Sequence, residues 1–158
     1  MASITYPLCR IEKGKQIHKE IVIRGLLDNN VVLGTALVDM YGKCGLLSKA
    51  HQVFEELRQR NVVSWSALIA NYAQQRQGHE ALCCFEQLQR EGLIPNEVTF
   101  VCILKVCGEI GALNTGKVIH DEIASSVLLE KDILLGTALV DMYAKCGVPL
   151  KAQEVLEE

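Results

Sequence analysis

The chain has 158 residues, 49% of them apolar, with three prolines and no low-complexity or single-sign charge run. That composition suits an ordinary folded core and excludes a disordered segment. No apolar stretch approaches the ~20 residues that a bilayer-spanning helix needs, and a formal charge of −3 works against phosphate-driven attraction to nucleic acid.

In chain order, the opening Met-Ala-Ser-Ile-Thr-Tyr is too short to be read as a targeting peptide. Residues 1–30 then read as part of a unit whose second helix runs from about 11 to 25. Residues 31–61 form a helix pair broken at Gly45, with Ser48 placed to cap its second helix. In 62–96, Ala67, Leu68, Asn71 and Tyr72 share one helical face, and Ala81, Leu82, Phe85 and Leu88 follow after a break at Gly78. Gly92 closes that helix and Pro95 blocks continuation. The unit 97–132 breaks at Gly108 and Gly111 and resumes through Val118 and Ile119.

The last unit, 133–158, reveals the organisation. Its octet Gly136–Tyr143 repeats Gly34–Tyr41 letter for letter, 102 residues on, and 17 of 26 positions agree between 31–56 and 133–158. Gly116-Lys117…Ile119-His120 likewise repeats Gly14-Lys15…Ile17-His18. Units of 31, 35 and 36 residues fill that period, so the fold expected is all-α, a right-handed superhelical solenoid of helix–turn–helix repeats. Leu37, Tyr41, Ala50, Val53 and Phe54 should pack between units. Pro149 should open the final helix, where its missing N–H costs nothing, and Leu150, Val155 and Leu156 should lie on an uncovered face.

Seven cysteines form no C-x-x-C pair, and Cys44 and Cys146 are repeat equivalents, so buried or half-buried free thiols are expected. The H-x-E triplets His18–Glu20 and His120–Glu122 also occupy one repeat position. Neither is followed by the P-C-x-x-C of a zinc deaminase. No catalytic residue, metal or cofactor is expected.

The stretches "NVVSWSALIANYAQ" (61–74), "GHEALCCFEQLQREGLIPNEVTFVCILKVC" (78–107), "GKVIH" (116–120) and "LGTALVDMYAKCG" (135–147), with the alternating unit lengths, resemble plant pentatricopeptide repeat proteins of the mixed long-and-short subclass. The tetratricopeptide family is excluded, because Trp65 is followed by Ser-Ala-Leu and not by its W-x2-L-G pattern. On this resemblance 1–30 is a partial long repeat, 31–61 short, 62–96 a standard 35-residue repeat, 97–132 long and 133–158 an incomplete short repeat. The chain then looks like a fragment of a longer one.

The resemblance implies a reader of single-stranded RNA, one repeat per base. The fifth and last residues of each repeat face the base and the second wedges against it. The readers implied are Thr35 with Asn61, Ser66 with Asn96, Val101 with Asp132, and Thr137; the wedges are Val32, Val63, Val98 and Leu134. A carboxamide carries both a donor and an acceptor, matching the adenine edge, whereas a carboxylate only accepts. The expected target is 5′-A-A-x-purine-3′. Organellar RNA editing or processing, in mitochondrion or chloroplast, is implied, together with editing factors supplied in trans; no membrane or small-molecule substrate is expected. Trp65, one residue before a reading position, is expected to pack inside the solenoid.

Two other readings stand beside this one. Thr and Asn at helix starts also serve as caps, and helical solenoids also act as protein–protein scaffolds, which the acidic charge favours. A truncated gene product without function of its own is the third.

Overall fold

The computed structural model describes residues 5–126 and 132–157, with side chains from residue 10 onward. The ends of the first and last units, and the stretch 127–131 ahead of Asp132, lie outside the described residues. Those described are helical throughout, without strands. The helices are α1 (Thr5–Ile23), α2 (Val31–Lys43), α3 (Leu47–Glu56), α4 (Val62–Gln74), α5 (Gly78–Arg90), α6 (Glu97–Ile110), α7 (Leu113–Ser125), α8 (Ile133–Lys145) and α9 (Pro149–Glu157).

Helices α2, α4, α6 and α8 pack directly on one another in series. Each of α3, α5 and α7 rests on its own partner and on the next helix of that series. Among the described residues the outer helices do not pack backbone to backbone, and long side chains bridge them, such as Gln89 donating to Glu122 at 3.3 Å. Closer spacing in one layer than in the other makes each unit a wedge, so the stack curves with α2, α4, α6 and α8 on the inside. One continuous apolar core runs through the units, including Leu37, Tyr41, Ala50, Val53 and Phe54.

Junctions between units are reinforced by polar contacts. Trp65 is buried, as expected, lying edge-on to Phe54 with ring centroids 4.5 Å apart. Its Nε1 donates to Glu91 at 3.0 Å. Arg60 lies 4.9 Å over the Phe54 ring and 3.6 Å from Glu91, tying the unit 31–61 to the next. The two H-x-E histidines are structural: Nδ1 of His18 and of His120 each lies 2.9 Å from a tyrosine hydroxyl on the following inner helix, Tyr41 and Tyr143.

The structure corrects several local expectations. Helix α1 begins at Thr5, well before residue 11, because Pro7 falls in the first turn where its missing N–H has no partner to lose; it ends at Ile23, and Gly25 follows at φ +63°. Ser48 is exposed inside α3 and caps nothing, since the N-cap position is Leu46. Gly78 is the buried first residue of α5, and the turn before it is made by Arg76 at φ +57°. Gly108 lies inside α6 against Met142, leaving Gly111, at φ +71°, as the break. Val155 is buried, although Leu150 and Leu156 are exposed.

Cys83 is exposed, whereas Cys84 and Cys107 are buried and Cys44, Cys102 and Cys146 half-buried. Burial pushes the Cys84 thiol up to about 12 and that of Cys107 up to about 11, which keeps both protonated and unreactive. Among the described residues no cluster could hold a metal ion, and no helix is long and apolar enough to cross a membrane.

Candidate nucleic-acid interface

Every inner helix starts with the same local chemistry. Its first N–H groups have no intrahelical acceptor, and a side-chain oxygen just upstream supplies one. Oδ1 of Asn30 accepts from Leu33 N at 3.0 Å, Oδ1 of Asn61 from Ser64 N at 2.9 Å and Oδ1 of Asn96 from Thr99 N at 3.0 Å. Asp132 caps α8 through Leu134 N at 2.8 Å. The outer helices α3, α5 and α7 start without a side-chain cap.

These caps settle how each amide lies. The backbone N–H must meet the carbonyl oxygen, so Oδ1 points into the helix start and Nδ2 of Asn61 and Asn96 is left without a partner among the described residues. An asparagine here therefore offers a donor. Asp132, with one oxygen in the cap, offers its second oxygen as an acceptor. Asn30 stands at the same place in the first unit and was not singled out from the sequence; the 102-residue offset maps it onto Asp132 and would have found it.

The second residue of each inner helix is apolar and exposed. Val32, Val63, Val98 and Leu134 keep between 55% and 76% of their surface in solvent, forming a row of branched side chains on the inner layer. Nothing in the packing requires apolar residues there, and a recurring exposed apolar row marks a contact surface.

The fifth residues are less uniform. Thr35 Oγ1 and Thr137 Oγ1 each donate 2.7 Å back to the carbonyl four residues earlier, Val31 and Ile133. With the proton committed, each hydroxyl presents lone pairs. Ser66 is only 5% exposed. Its Oγ lies 2.6 Å from Val62 O, 3.2 Å from Asn96 Oδ1 and 2.6 Å from Thr99 Oγ1. Val101 is half-buried against the core and has no polar group to offer. Thus Ser66 and Asn96 touch directly, whereas Thr35 and Asn61 share no hydrogen bond.

The inner helices carry three lysines, of which Lys105 on α6 is exposed. Lys43 and Lys145 sit one turn from Asp39 and Asp141, each pair at 2.6 Å.

Comparison with known proteins follows this geometry. The PPR repeat family profile matches residues 60–109, and the PPR repeat profile matches 35–62 and 137–158. A chloroplastic pentatricopeptide repeat-containing protein of Arabidopsis thaliana is 39% identical over 145 residues, which is 92% of this chain and 23% of the relative. A mitochondrial one is 39% identical over 145 residues, 92% of this chain and 16% of its own length. The chain thus spans about a fifth of the length of the curated relatives it matches. The crystal structure of the maize pentatricopeptide repeat protein PPR10 superposes with a TM-score of 0.74 at 21% identity, covering 93% of this chain and 22% of that one, and shares its fold. The chain belongs to the pentatricopeptide repeat family, as a stack of helix–turn–helix repeats with relatives in a plant.

Proposed function

We propose that the chain binds single-stranded RNA base by base along its inner layer, as the target-recognition part of an organellar RNA editing or processing factor. The repeats are assigned as 31–61, 62–96, 97–132 and 133–158, in the mixed long-and-short pattern, behind the partial unit 1–30. The observation that carries this reading is the fourfold coincidence of an exposed branched residue with a capping Asn or Asp that has one polar atom left over. A branched side chain wedges between bases, and the spare polar atom meets a Watson–Crick edge.

The cap refines the pairing logic. A free carboxamide offers donor and acceptor together, but here Oδ1 is engaged, so Asn61 and Asn96 read by donation. Adenine N1 accepts, whereas guanine N1–H and uracil N3–H oppose a donor. The Thr35 hydroxyl, bonded back to Val31 O, keeps lone pairs for an adenine amino group. The preferred target is 5′-A-A-x-purine-3′, with no base assigned to Val101 and Asp132.

The test is fluorescence anisotropy on short single strands varied one base at a time, with duplex as control. Each reading pair is worth ~1–3 kcal/mol, and the net charge adds little. Affinity of about micromolar or weaker is expected for A-rich strands, and none for duplex. Asn96→Asp keeps the cap, because Asp and Asn are equally good there, but exchanges donor for acceptor. It should shift one RNA position from A towards G by ~1–3 kcal/mol and leave the position read by Thr35 and Asn61 unchanged. Equal weakening for all bases would make Asn96 a purely structural cap. No change at all would favour a protein–protein scaffold, the reading that the formal charge of −3 also suits.

A further inference from the structure

We propose that Thr99, which faces no base, is a positioning residue that sets specificity at the site of Ser66 and Asn96; the proposal rests on the RNA-reading assignment above. Thr99 is the third residue of α6 and fully buried. Both its N–H, at 3.0 Å, and its Oγ1, at 2.8 Å, donate to Asn96 Oδ1. The same Oγ1 lies 2.6 Å from Ser66 Oγ. One hydroxyl therefore joins the two side chains that read one base, across the junction between repeats.

The protons can be assigned. Asn96 Oδ1 carries none, so the Thr99 hydroxyl proton goes there. The Ser66 proton is then shared between Thr99 Oγ1 and Val62 O, at 2.6 Å each, with Asn96 Oδ1 a longer third acceptor at 3.2 Å. The chain runs one way, from Ser66 through Thr99 to Asn96. Rotating the Asn96 amide would bring Nδ2 against two donors of Thr99, so its outward edge is held as a donor. A donor edge accepts adenine and rejects guanine.

The neighbouring site lacks this bridge. The Ser64 hydroxyl, third in α4, turns to the backbone of Asn61, accepting from its N at 3.0 Å and donating to its O at 2.9 Å. Asn61 Oδ1 then holds the single bond from Ser64 N, and Thr35 bonds only to Val31 O. The third residues of α2 and α8 are Leu33 and Leu135, which have no hydroxyl. Among the described residues the bridged site is the one at Ser66 and Asn96, and it should discriminate A from G more sharply than the site at Thr35 and Asn61.

Thr99→Val tests this with a near-isosteric side chain that keeps the capping N–H. Binding of the whole chain is measured against single strands carrying A or G at each position, and circular dichroism melting shows that the variant folds. The preference for A over G should fall about five- to tenfold at the Ser66–Asn96 position only, and Thr99→Ser should restore it. If Val is not tolerated in the core, Thr99→Ala serves the same purpose. An unchanged preference in a folded variant, or an equal loss for every base, would overturn the role of Thr99. Failure of the unmodified chain to prefer A at that position would instead overturn the reading assignment itself.

Discussion

A single asparagine ahead of an inner helix can cap it and still present a polar atom outward, because its two polar atoms are separate. Oδ1 of Asn96 completes the start of α6, while Nδ2 has no partner among the described residues. The sequence alone left capping and reading as rivals at such positions; the structure makes them compatible, because the atoms used differ. His18, the first residue of an H-x-E triplet, is by contrast committed to the interior of the fold. Its ring is buried at the junction of α1 and α2, with Nδ1 on Tyr41 and Nε2 without a partner. Burial, and to a lesser extent the charge of Lys49, hold its pKa below 6.5, with Glu56 opposing. The unfolded chain therefore takes up a proton near 6.5 that the folded chain refuses. Stability should fall as pH drops below 6.5 and level off once pH passes the lower folded value. Urea midpoints from neutral to mildly acid pH should show this slope, reduced in His18→Gln, which can still bond Tyr41. An identical slope in that variant would place the pH dependence elsewhere.

At the scale of helices, the sequence was most legible where a pattern repeated and least where one residue was asked to mark a boundary. Existence and order of the helix pairs followed from the 102-residue period and three-and-four apolar spacing, which report burial averaged over many residues. Gly78 and Gly108 misled because a glycine serves a turn or a close approach equally well. Both are close approaches: a Cβ on Gly78 would lie 2.9 Å from Ile110, and one on Gly108 3.3 Å from the Met142 backbone. The actual turn residue, Arg76, is a type that seldom takes positive φ, so nothing local announced it. Gly42 is the most exacting approach. Its Cβ would fall on the amide of Asn71, at 2.0 Å from the nearest atom, and that amide donates to Val38 O at 3.2 Å and is buried. Its repeat equivalent is Ala144, exposed, where a Cβ meets no such neighbour. Gly42→Ala should therefore cost ~1–3 kcal/mol through overpacking despite raising helix propensity, as read from urea denaturation. A neutral or stabilising effect would mean that Asn71 moves aside at little cost.

For the molecule as a whole, the repeat provides its own control for what each end lacks. Ile17 is 57% exposed on α1, while its equivalent Ile119, covered by α6, is 1% exposed. At the other end Leu156 is 72% exposed, while its equivalent Phe54, covered by Trp65 of the next unit, is 2% exposed. Residues suited to burial thus stand in water at both ends, although the interior units are fully packed. In a stack held by nearest-neighbour interfaces, stability is greatest in the middle and uncovered ends are sticky. The chain in solution should therefore be mostly helical by circular dichroism and yet self-associate with rising concentration, as measured by light scattering or sedimentation. Ile17→Lys with Leu156→Lys should reduce that association without loss of helix, because both side chains are already largely in solvent. The inner-layer residues proposed as RNA readers lie away from both substitutions, so base preference should be unchanged in the double variant. A monodisperse monomer with a sharp, high melting transition in the unmodified chain would show that these end faces do not drive contact between copies.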